Sequence, residues 1–84
     1  MNHFVLETSF DPPLTDEEHS RVGSLLDNCL KLRGARWMRS YLSVDRRRMI
    51  CEFEAADAET VREAYRMAGQ PFERCWPAYL YKLE

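Results

Sequence analysis

Residues 2–10, NHFVLETSF, alternate in polarity with the two-residue period of a strand. Phe4, Leu6, Thr8 and Phe10 fall on one side; His3, Val5, Glu7 and Ser9 fall on the other. Asp11-Pro12-Pro13 stops the run, because proline donates nothing to a ladder and stiffens the connection. Thr15-Asp16-Glu17-Glu18 then starts a helix, with Thr15 as cap and three acids at the positive end of the dipole. Val22, Leu25, Leu26, Cys29 and Leu32 follow at helical spacing as its apolar stripe, and Gly34 is a natural left-handed end.

Residues 35–44, ARWMRSYLSV, have strand composition but alternate poorly. Simple alternation puts Trp37 and Tyr41 on one face and Met38 and Leu42 on the other, as in a strand covered on both sides. Asp45-Arg46-Arg47 has turn character, and 48–54, RMICEFE, alternates again, so the two segments read as a hairpin. Asp57 caps a second helix whose stripe is Val61, Ala64, Tyr65 and Ala68; Gly69 and Pro71 end it. The closing FERCWPAYLYKLE has strand composition, which Pro77 confines to a sheet edge or a bulge.

The order β-α-β-β-α-β predicts an α+β chain with the ferredoxin-like arrangement: a four-stranded antiparallel sheet with two helices on one face. The other face is left without helices. Trp37, Tyr41, Trp76, Tyr79, Leu80 and Tyr81 exceed what one small core uses, so a homodimer through the sheet is expected.

Length and composition narrow this little further. Eighty-four residues without linker or repeat are one domain, 1–84, and 45% hydrophobic residues with ten aromatics exclude a disordered chain. No apolar run approaches a membrane span and none follows Met1, so no membrane partner and no export are expected. Cys29, Cys51 and Cys75, an odd and widely spaced set, suit free thiols in a cytoplasmic protein. Charge is uneven. Lys31 to Arg48 holds seven bases and one acid, a local +6 that leaves −8 elsewhere, so the Arg46-Arg47-Arg48 turn is either an anion-docking point or an ordinary solvated turn.

Several chemistries of this fold lack their residues. The third strand has no Gly-aromatic motif for stacking RNA bases and the chain is net acidic, so no nucleic acid is expected. Clustered cysteines for an iron–sulfur centre, or CxxC for a metallochaperone, are missing. The histidines are His3 and His19, and His19 lies at the border of its helix stripe, a weak partner for a cysteine nucleophile. The face carrying His3 and Glu7, joined by Glu52 from a neighbouring strand, is a candidate site for nickel or another divalent transition metal. The plain alternative is a row of exposed acids paired with Arg39 or Arg74.

The stretch Trp37 to Ala55 resembles a bacterial family of short domain-of-unknown-function proteins that includes nickel-binding members. Its most specific part is W-x-x-S-Y-x-S-x-D followed by Cys51, six residues after Asp45. Further matches are Glu7 in the opening strand, Ala58-Glu59-Thr60-Val61-Arg62 and Gly69-Gln70-Pro71. The resemblance implies a ferredoxin-like dimer and, in some members, nickel. Glu7, Trp37, Ser40, Tyr41, Ser43, Asp45 and Cys51 match its pattern. Many relatives have His where this chain has Arg39, whose guanidinium has no lone pair for a metal.

These readings make Glu7, Trp37, Arg39, Ser40, Tyr41, Asp45 and Cys51 the candidate ligand-binding residues. Three functions compete: a homodimer binding a small molecule or a metal; a cofactor-independent enzyme of the dimeric α+β-barrel type; and a structural or adaptor dimer. In the enzyme, Tyr41, Arg39, Glu7 and Cys51 would line a cleft with Glu7 as base.

Overall fold

In the computed structural model, which describes residues 2–83, alternating polarity becomes four strands and the two helical-period segments become two helices. They are β1 (Asn2–Ser9), α1 (Asp16–Leu32), β2 (Arg36–Leu42), β3 (Arg48–Ala55), α2 (Ala58–Met67) and β4 (Arg74–Ala78). The sheet runs β2-β3-β1-β4, all neighbours antiparallel, so β3 and β1 are central and each helix carries the chain across a neighbouring strand. This is the expected ferredoxin-like fold.

Both helices lie on the face built by Phe4, Leu6, Thr8, Met49, Cys51, Phe53 and Cys75, all buried. The α2 stripe is as its spacing predicts, with Val61, Ala64, Tyr65 and Ala68 all buried. The α1 stripe is rotated from the expected one. Leu26, Cys29 and Leu30 are buried, whereas Leu25 is 46% and Leu32 81% exposed. The five expected positions span an arc of about 120°; burial is shifted toward the Leu26 and Leu30 border, which leaves Leu25 and Leu32, neighbours at the far border, exposed.

Capping follows the sequence. Thr15 Oγ1 accepts the Glu18 N–H at 3.1 Å, and Asp57 Oδ1 accepts the Thr60 N–H at 2.8 Å. Gly34 and Gly69 follow the helix ends at φ 73° and 67°, where a side chain would strain the backbone.

The second strand departs most from expectation. Trp37 pairs with Phe53, but the next partner pair is Arg39 with Glu52, which leaves Met38 as the extra residue of a β-bulge. The extra residue reverses the alternation. Trp37, Ser40 and Leu42 therefore share the helix side with their partners Phe53, Cys51 and Met49, while Arg39 and Tyr41 take the open side with Glu52 and Ile50. Trp37 and Tyr41 do not share a face, contrary to simple alternation. The final strand is also shorter than its composition suggests. β4 is a five-residue edge strand, and Tyr79, Leu80, Tyr81 and Leu83 continue beyond it as an exposed segment.

Candidate functional site

The helix-free face of the sheet is a lattice of ion pairs around a small apolar centre. Glu7 is the most enclosed acid there, with 16% of its side chain exposed. Trp76 Nε1 donates to its Oε2 at 2.9 Å, and Arg48 and Arg74 stand 3.7 and 3.6 Å from its two oxygens. Glu52 pairs with Arg39 at 3.1 Å. Glu54 lies between Arg36, at 3.4 Å, and His3 Nε2, at 3.8 Å. Between these pairs lie Val5, Tyr41, Ile50 and Trp76, the last three exposed by 58%, 40% and 42%.

This arrangement corrects the expected metal set. His3, Glu7 and Glu52 do share the open face, but the ladder sets His3 opposite Glu54 and Glu7 opposite Ile50, with Glu52 opposite Val5. Each acid is turned to an arginine. Among the described residues no group of three or more His, Cys, Asp or Glu can hold a metal ion. A guanidinium has no lone pair to give and its charge repels a cation, so these residues do not fit nickel on one chain. The plainer alternative, acids paired with Arg39 and Arg74, is what the geometry contains.

The basic turn is likewise occupied. Arg46, at φ 64°, donates to the Leu14 carbonyl at 2.5 Å and to Asp16 at 2.6 Å. Arg47 reaches Asp11 at 3.4 Å, and its carbonyl accepts the Phe10 N–H at 2.7 Å. The turn thus clamps the loop between β1 and α1, and its arginines face their own fold rather than an outside anion. Within it, Ser43 Oγ accepts the Arg48 N–H at 2.9 Å and donates to Asp45 Oδ1 at 2.6 Å, while Asp45 accepts the Arg47 N–H at 3.1 Å. The Ser43 and Arg47 hydrogen bonds hold the Asp45 carboxyl below its usual range. Ser43 and Asp45 are turn builders.

On the helix side, Trp37 Nε1 donates to Ser40 Oγ at 2.8 Å and Ser40 donates to Cys51 Sγ at 2.9 Å. Residues three apart cannot share a face of a regular strand; the bulge at Met38 makes this contact available. Burial pushes the Cys51 thiol pKa up, only partly offset by hydrogen bonds with Ser40 and Tyr65, and burial also raises Tyr65. Cys51 is therefore an inert thiol at neutral pH rather than a ready nucleophile.

Beside this chain a cavity of about 330 Å³ opens between α1 and the sheet. Cys51 and Trp37 line it; Glu7, Arg39 and Tyr41 do not. The expected catalytic cleft of Tyr41, Arg39, Glu7 and Cys51 is thus divided between the two faces, and Glu7 cannot serve there as base. The cavity's other contributors, among them His19, Gly23, Met49 and Gln70, were not identified as site residues. Gly23 was a legible signal, a glycine within a well-formed helical pattern.

The family model for the nickel responsive protein SCO4226-like family matches residues 4–77. Among solved structures, the chain is similar to SCO4226 from Streptomyces coelicolor A3(2), with a TM-score of 0.84 and 15% identity over 95% of this chain and 99% of that one. At this identity the likeness establishes the fold. No curated protein matches the sequence.

Proposed function

Because the chain belongs to the SCO4226-like family of nickel responsive proteins, we propose that it is a small homodimeric binding protein of a nickel response, in which a second copy covers the helix-free sheet face. The observation that carries this reading is the apolar centre of that face. Val5, Tyr41, Ile50 and Trp76 form a contiguous, half-exposed group on neighbouring strands. Arg36, Arg39, Arg48 and Arg74 alternate there with Glu7, Glu52 and Glu54, so a two-fold rotation can set bases of one copy against acids of the other. Three buried, free thiols agree with a cytoplasmic setting.

Nickel enters this reading from the family description, and the described residues of one chain do not supply a fitting donor set. Metal binding is therefore expected only where two copies bring donors together. Isothermal titration of nickel against wild type and Glu7→Ala tests it. Saturable heat that disappears with Glu7 supports a metal site at the interface. No saturable heat at hundreds of micromolar metal removes nickel as a direct ligand.

A further inference from the structure

We infer that the cleft between α1 and the sheet is a binding site for a small, neutral, planar aromatic molecule. Its volume of about 330 Å³ lies within the range of small-molecule pockets. Trp37, Phe10 and Tyr65 supply aromatic surface, and Met49 and Cys51 supply sulfur, which packs well against ring edges. His19 and Gln70 add hydrogen-bonding groups for a single polar substituent.

The helix itself leaves this space open. Gly23 sits in the interior of α1, facing the cavity, where glycine weakens a helix relative to alanine. Packing within the chain does not demand it: a Cβ built there meets only Trp37 Cη2, at an ordinary 4.0 Å. A larger side chain would instead fill the cleft.

Charge selects the ligand class. Among the described residues no lysine or arginine lines the cavity, while Asp11 and Glu18 do. Those carboxylates turn to Arg47 and Arg21, neither of which lines it. A carboxylate-bearing ligand would lose water and meet no cation, whereas a neutral ring loses little.

Indole and indole-3-acetate, titrated separately into the intact chain, provide a charge-matched test. One indole should bind saturably per chain, and the acid should bind more weakly by about tenfold or more. In an NMR titration the Trp37 indole N–H signal should move while that of Trp76, on the opposite sheet face, stays. Gly23→Leu should abolish binding, and Lys31→Ala, outside the cavity, should retain it. Failure of indole to saturate at millimolar concentration, a shift at Trp76 instead of Trp37, or equal affinity for the acid would each overturn the assignment. The Trp37 readout needs no variant, so a misfolded Gly23→Leu protein does not blunt the test. None of these outcomes depends on nickel or on subunit number.

Discussion

Glu7 is held by three groups at once, and that makes it the residue of the sheet face most sensitive to change. Its loss in Glu7→Ala leaves the Trp76 indole N–H without its acceptor and sets Arg48 and Arg74 facing each other. Both arginines are about two-thirds exposed, so water screens much of this repulsion, and a destabilisation of about 1 kcal/mol is expected in urea unfolding. A variant as stable as wild type would show that these pairs hold nothing. The buried thiols make a second prediction. Burial raises the pKa of Cys51 and Cys75 in the folded chain. Once pH passes the ordinary thiol value of 9.0, the unfolded chain gives up protons that the folded chain keeps. Stability is then lost as pH rises, and thermal unfolding should move to lower temperature between neutral pH and about pH 10. An unchanged midpoint in that window would contradict the burial of the thiols.

Among the elements, β2 carries the most information that its residues do not display. The W-x-x-S spacing of Trp37 and Ser40 is the trace of the bulge at Met38, but a sequence does not say where a ladder skips a residue. Sheet membership of β1, β3 and β4, both helix caps and the α2 stripe were legible, because each depends on local period or on one side chain reaching a nearby amide. The ion-pair partners of Glu7, Glu52 and Glu54 were only partly legible, since cross-strand neighbours follow from register. The cavity was not legible at all, because it arises between elements distant in the chain. Two element-level variants follow. Ser40→Ala leaves the half-buried Trp37 N–H without its acceptor and should cost about 1–2 kcal/mol in denaturant unfolding. Gly23→Ala should raise helix stability by about 0.5–1 kcal/mol, because the added methyl meets nothing closer than an ordinary contact. A destabilised Gly23→Ala would mean that the space beside α1 is tighter than the structure describes.

At the scale of the whole molecule, the two sides of the sheet divide the work. The helix side holds the core and the cleft; the open side holds the alternating charges and the apolar centre. The local excess of positive charge between Lys31 and Arg48 is spread over contacts with Asp11, Asp16, Glu7, Glu52 and Glu54. It therefore serves contacts within this fold. Family membership supplies the nickel context. The most direct measurement is sedimentation equilibrium of the wild-type chain beside Ile50→Glu, a charge placed at the apolar centre. Wild type should sediment as a dimer at tens of micromolar while Ile50→Glu sediments as a folded monomer. A wild-type monomer at that concentration would contradict the covering of the sheet face by a second copy.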